Sequence, residues 1–184
     1  SGGASGIGRG CAMRLAEEGA RVVVSDVDQT MGEQTCSLIS EAGGESIFVR
    51  HDVTKEEEWI NCVKQAVSSY SGLHILVNNA GITSNDLGAD RRQCNPWQVD
   101  NEIVLEETRI NALGPMMVTR SVIGLLEAGD NPVVLNTSSQ LGSMIIGAAM
   151  PFDVAYNVSK AALNMITVMS ASTNKNVSFV ALHP

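Results

Sequence analysis

Tyr156 and Lys160 lie four residues apart within Val154–Thr173, a stretch whose spacing predicts a helix, so the phenol and the ammonium share one face. Such a pair could move a proton. A free tyrosine has a pKa near ~10 and is a poor base at neutral pH, but a nearby ammonium favours the phenolate and draws the value toward the working range. A second set opens the chain. Ser1-Gly2-Gly3-Ala4-Ser5-Gly6-Ile7-Gly8 runs into a helical pattern, and its glycines would let backbone N–H groups close on a pyrophosphate at the helix N-terminus. Asp26 follows Gly8 by 18 residues and ends the strand-like run Arg21–Asp26, where a carboxylate can accept hydrogen bonds from an adenosine ribose. Each feature alone also has a plain reading: an ordinary helical pair, a tight connection, a helix-capping aspartate.

Together they carry more. SGGASGIG, Asp52-Val53, Asn78-Asn79-Ala80-Gly81, Asn111, Ser138-Ser139 and Tyr156-Asn157-Val158-Ser159-Lys160 resemble, in this order, the motifs of the short-chain dehydrogenase/reductase family. The resemblance implies that Gly2, Gly6, Ile7, Gly8, Asp52, Val53, Asn78, Ala80 and Gly81 line a dinucleotide site, with Asp52 beside the adenine. It further implies that Tyr156 transfers the proton, Lys160 holds the nicotinamide ribose and Ser139 hydrogen-bonds the reacting oxygen. Asn111 would hold a water linking Lys160 to solvent; the other reading is a mid-helix Asn bonding locally.

One spacing departs from the family. Its serine stands thirteen residues before the tyrosine, which here is Ser143, whereas Ser139 precedes Tyr156 by seventeen. Ser139 is preferred because it directly follows the predicted strand Pro132–Thr137, so the extra residues fit a longer loop, Gln140 to Asp153. That loop carries Leu141, Met144, Ile145, Ile146, Met150 and Phe152, either an apolar substrate wall or a surface packed on the domain or on a second subunit.

The resulting expectation is an NAD-dependent short-chain alcohol dehydrogenase or carbonyl reductase. It would move a hydride between NAD(H) and the alcohol or carbonyl group of a small, fairly apolar substrate, with Tyr156 as acid/base. The alternative is a catalytically silent dinucleotide-binding sensor or scaffold. NAD is expected over NADP because Asp26 would repel a 2′-phosphate and Ser5, not a basic residue, occupies the turn; Arg9 lies beyond its third glycine. By resemblance, Leu105–Leu126 and Val154–Thr173 would form a homodimer or homotetramer interface.

The elements that must position these residues alternate. Arg21–Asp26, Ser46–His51, Ile75–Asn78, Pro132–Thr137 and Asn176–Leu182 read as strands buried on both faces; Ile7–Glu18, Met31–Ala42, Glu56–Ser71, Leu105–Leu126 and Val154–Thr173 read as helices. The fold class that follows is α/β, a Rossmann-like doubly wound parallel sheet forming a single dinucleotide-binding and catalytic domain over residues 1–184. The polar stretch Ile82 to Glu102 reads as a surface loop at the rim of the site. Both ends read as truncated: no strand precedes the glycine-rich turn, and a C-terminal substrate segment is expected beyond Pro184.

Composition fits one domain, with 44% of the 184 residues apolar and a formal charge of −8. Clustered Lys and Arg, which a nucleic acid or an anionic membrane would require, are missing from the sequence. Cys11, Cys36, Cys62 and Cys94 form no CxxC pair, and His51, His74 and His183 have no ligand spacing, so reduced thiols and no metal are expected. The apolar runs are too short to span a bilayer, which makes a cytoplasmic location the default.

Overall fold

The computed structural model describes residues 1–150 and 152–184. Its strands are β1 (Arg21–Asp26), β2 (Glu45–Arg50), β3 (Ile75–Asn78), β4 (Val133–Thr137) and β5 (Ser178–Leu182). Its helices are α1 (Gly6–Glu17), α2 (Gln29–Glu41), α3 (Glu56–Tyr70), α4 (Asn101–Thr108), α5 (Gly114–Glu127), α6 (Met144–Ala149) and α7 (Val154–Thr173). All pairings are parallel: β1 with β2, and β3 with β4 with β5. Parallel neighbours need long crossovers, and helices supply them.

Adjacent residues of β1 show that both faces are covered. Val24 packs with Ala12 and Ala16 of α1 and Ile39 of α2. Ser25 points the other way, its hydroxyl 3.3 Å from His51 Nδ1, toward the face where Trp59 of α3 meets the His51 ring edge-on. On the second half-sheet, Val122 and Leu126 of α5 cover Val134 of β4. Burying each such aliphatic side chain contributes about 1.5–3 kcal/mol. The architecture is the doubly wound α/β fold that the alternating pattern predicts.

The sheet lies in two halves. Among the described residues β1 and β3 each pair on one side, and between them runs a cavity of about 360 Å³ lined by Val22 to Val24 and Ile75 to Val77. The glycine-rich turn closes one end of it: the Ser1 amino group donates to the Val77 carbonyl (2.8 Å) and the Gly3 N–H to that of Ser25 (3.1 Å). The turn therefore sits at the carboxyl ends of β1 and β3, where open α/β sheets bind ligands.

Three segments differ from expectation. The helix predicted over Leu105–Leu126 begins at Asn101 and is broken by a π turn, Arg109–Leu113, in which the Gly114 N–H reaches back to the Arg109 carbonyl. Pro115 brings no N–H to this ladder, so regular α winding is interrupted here. The stretch Ile82 to Glu102 contains a 3₁₀ turn, Ser84–Leu87, closed by a capping box between Thr83 and Asp86. The loop expected from Gln140 to Asp153 winds instead into a 3₁₀ turn, Gln140–Gly142, followed by α6.

Candidate functional site

The glycine turn is shaped by close approach. A Cβ on Gly8 would stand 1.8 Å from the Gly2 carbonyl oxygen, and one on Gly2, where φ is +66°, would meet Ala80 at 2.9 Å. The first turn of α1 has no side-chain cap on its N–H groups. An uncapped helix start with side-chain space removed around it suits a pyrophosphate, so the residues present fit a dinucleotide. Ile7 is half exposed at this edge.

Asp26 anchors the turn. Its Oδ2 accepts from Ala4 N (2.9 Å) and its Oδ1 from Asp28 N (3.0 Å). Arg9 is tied down, donating to the Ala4 carbonyl (2.6 Å), Thr35 Oγ1 (3.0 Å) and Gln34 Oε1 (3.1 Å). At the end of β2, Asp52 accepts from Thr54 N (2.9 Å) and Thr54 Oγ1 (2.7 Å), and Val53 is buried with Trp59 and Val118.

In the Asn78–Gly81 segment the two asparagines divide the work. The Asn78 side chain turns into the interior, donating to Asn136 Oδ1 (2.9 Å) and Thr119 Oγ1 (3.3 Å), so only its backbone is left to border a cofactor. Asn79, given no role of its own from the motif, donates to the Gly2 carbonyl (3.2 Å) and accepts from Thr137 Oγ1 (3.3 Å), linking the turn to β4. Ala80 backs Gly2, and Gly81 lies where an added Cβ would be 3.0 Å from Asn111 Oδ1 and 3.7 Å from Lys160 Nζ.

On α7, Lys160 is buried and its ammonium donates to the Thr137 carbonyl at 2.8 Å. Burial pulls its pKa down to about 8, with the Glu107 charge acting in the opposite direction. The Lys160 Nζ lies 5.5 Å from the centre of the Tyr156 ring. The expected lowering of the Tyr156 pKa by this ammonium is not found: burial pushes the phenol above its ordinary value, against the pull of the Ser139 hydroxyl and the Arg91 guanidinium. The reason is geometric, since the ammonium is held on a carbonyl while the ring sits half desolvated.

The two serines separate. Ser139 stands beside Tyr156 and also accepts from Leu141 N at 3.2 Å, whereas the Ser143 hydroxyl accepts from Ile146 N at 3.4 Å and caps α6. Asn111 is fully buried in the π turn, its amide accepting from Ile82 N (2.8 Å) and donating to the Ile82 carbonyl (2.8 Å) and Ser159 Oγ (3.0 Å). Its side chain is thus committed to the backbone that follows Gly81 and to α7. The apolar set on α6 is largely open to solvent: Met144 and Ile145 are more than 80% exposed, while Ile146 is partly covered.

The family model for short chain dehydrogenases matches residues 1–184. An uncharacterized oxidoreductase of Thermotoga maritima is 35% identical over 91% of this chain, and cyclopentanol dehydrogenase of Comamonas sp. is 32% identical over 100% of it. The chain spans 61% of the first relative's length and 70% of the second's. The crystal structure of a dehydrogenase/reductase from Sinorhizobium meliloti 1021 superposes with a TM-score of 0.84 at 28% identity, covering 100% of this chain and 69% of that one. The chain belongs to the short-chain dehydrogenase family, with the Rossmann fold of that class. Among the described residues, no helix is long and apolar enough to cross a membrane.

Proposed function

We propose that residues 1–184 form a single dinucleotide-binding and catalytic domain of an NAD-dependent oxidoreductase acting on a small alcohol or ketone. The observation that carries this reading is the convergence of Ser139, Tyr156 and Lys160 at the carboxyl end of β4, joined through Asn79 to a glycine turn with an uncapped helix start.

NAD would be held by the turn Gly2 to Gly8, by Asp26 at its adenosine ribose, by Asp52 and Val53 at the adenine, and by Asn78, Ala80 and Gly81 along the chain's return. When bound, it supplies or accepts the hydride. Lys160, fixed on Thr137, holds the nicotinamide ribose; Tyr156 gives or takes the hydroxyl proton; Ser139 donates a hydrogen bond to the oxygen on which negative charge develops. Asn111 positions the strand end and α7 together.

NAD is preferred to NADP in this reading. Asp26 would face a 2′-phosphate with like charge, and Arg9 spends its guanidinium on Ala4, Thr35 and Gln34 instead of facing outward. The exposed apolar residues of α6 favour a fairly apolar substrate, and those of α7, Met165, Val168 and Met169, favour a homodimer or homotetramer. The test is the absorbance of reduced nicotinamide with a panel of alcohols and ketones. Cofactor-dependent turnover of any of them supports the reading, and NAD binding with no turnover would support a silent sensor instead.

A further inference from the structure

Behind Tyr156 lies a buried acidic pair that the proposed reaction does not use. Glu107 of α4 is fully buried, as is Asp153 at the start of α7. The Ser84 hydroxyl stands between them, 2.6 Å from Glu107 Oε1 and 2.8 Å from Asp153 Oδ1. A hydroxyl owns one hydrogen and can donate to only one of these oxygens. The other contact, at hydrogen-bond length between two oxygens, needs a second proton, and that proton must sit on a carboxyl group.

The surroundings say which one. Asp153 accepts from Tyr156 N (3.1 Å) and from Arg91 Nε (3.3 Å), donors that favour its anion. Among the described residues Glu107 has no other donor, and its buried Oε2 has no partner. An unpartnered neutral carbonyl costs far less to bury than an unpartnered carboxylate.

We propose that Glu107 is held as a neutral acid that donates to Ser84, which donates in turn to Asp153, and that this proton chain makes Glu107 a positioning residue for Tyr156. Asp153 is the hinge of the arrangement. It adopts a left-handed backbone, φ +51°, and caps α7 by accepting from the N–H of Tyr156 itself. Its carboxylate also steadies Arg91, whose guanidinium lies 5.8 Å from the centre of the Tyr156 ring. Burial, with the Asp153 charge adding to it, raises the Glu107 pKa to about 7 against the Ser84 hydrogen bond.

The groups facing Glu107 come from three elements: Asp86 with Ser84 on the 3₁₀ turn, Arg91 in the following loop, and Asp153, Tyr156 and Lys160 on α7. Ionisation of Glu107 breaks its donation to Ser84 and sets a second anion against Asp153. It also raises the pKa of both Tyr156 and Lys160. The shared proton stands on geometry alone; its bearing on acid/base chemistry rests on the proposed oxidoreductase reading.

The test needs no substrate. Infrared difference spectra of the chain between about pH 6 and about pH 8.5, bracketing the value near 7, should show one protonated-carboxyl carbonyl band lost on ionisation, and Glu107→Gln should remove it. The chain has two tyrosines, so in a Tyr70→Phe background the phenolate absorbance follows Tyr156 alone. There Glu107→Gln, permanently neutral, should lower the Tyr156 titration midpoint by about half a unit or more. A band that survives in Glu107→Gln, no band in the unsubstituted chain at about pH 6, or an unmoved tyrosine titration overturns the proposal. Should Glu107→Gln not fold, the band in the unsubstituted chain decides: its presence with a midpoint near 7 supports the shared proton and its absence refutes it.

Discussion

The Lys160 ammonium donates to the Thr137 carbonyl, the last carbonyl of β4, at 2.8 Å, so a cation on one helix is fixed by the end of a neighbouring strand. In the proposed reading Lys160, so fixed, would hold the nicotinamide ribose while Tyr156, one turn earlier, would transfer the proton. Tyr156→Phe should lower kcat by about 10²–10⁴-fold and leave the Kd for NAD nearly unchanged, because only the acid/base hydroxyl is lost. Lys160→Ala should damage both. A Phe variant with more than about a tenth of the original turnover would remove Tyr156 from the role.

The serine pair offers an internal control. Ser139→Ala should cut kcat by about ten- to a thousand-fold, as loss of one donor to a developing oxyanion does. Ser143→Ala should instead cost about 1 kcal/mol of stability through its lost cap on α6, with kcat nearly intact. Equal kinetic losses in the two variants would contradict the assignment.

For Asp26, replacement by serine should lower the ratio of kcat/KM for NAD over NADP by about tenfold or more, through removal of a like-charge contact worth several kcal/mol (order of magnitude). Some NAD affinity should go with it, since Ala4 N loses its acceptor in the turn. An unchanged cofactor ratio would place the selectivity elsewhere.

Two glycines of one helix should behave oppositely. Gly8→Ala must displace the turn, its Cβ overlapping the Gly2 carbonyl, and should abolish NAD binding in a titration. Gly10→Ala meets nothing within 4 Å and should stabilise α1 by about 0.5–1 kcal/mol, read as a higher Tm with binding preserved.

Stability should also carry the mark of Glu107. Its folded pKa, about 7, lies above the ordinary 4.5, so its contribution is fully present below about 4.5 and is lost as pH rises through about 7. The Tm of the chain should therefore fall across this window, and Glu107→Gln should flatten the fall. A Tm profile identical in the two proteins would contradict the raised value.

What the sequence disclosed follows from how local each signal is. The strands and most helices are legible because β-branched runs and apolar spacing report burial directly, and Tyr156, Lys160 and the glycine turn sit in contiguous motifs. The π turn was not legible: an ordinary helical pattern continues through Arg109–Leu113, and only Pro115 hints at the break. Ser84, Arg91, Glu107 and Asp153 come from three separate segments, so no spacing rule brings them together. The inward turn of Asn78 depends on Asn136, 58 residues away. Nor did a rise in the Tyr156 pKa follow from its neighbour on the helix; it depends on desolvation, which sequence spacing does not report.

The π turn also lets one continuous helix face two directions. Each residue of an α-helix advances the face by about 100°, and the wide turn takes up extra chain, so the side of α4 that meets α7 is offset from the side of α5 that covers α3, β3 and β4. Deleting a single residue there would restore regular α winding. It would swing Glu107 away from Ser84 by roughly a quarter-turn, so the length of this segment matters as well as the identity of its buried Asn111.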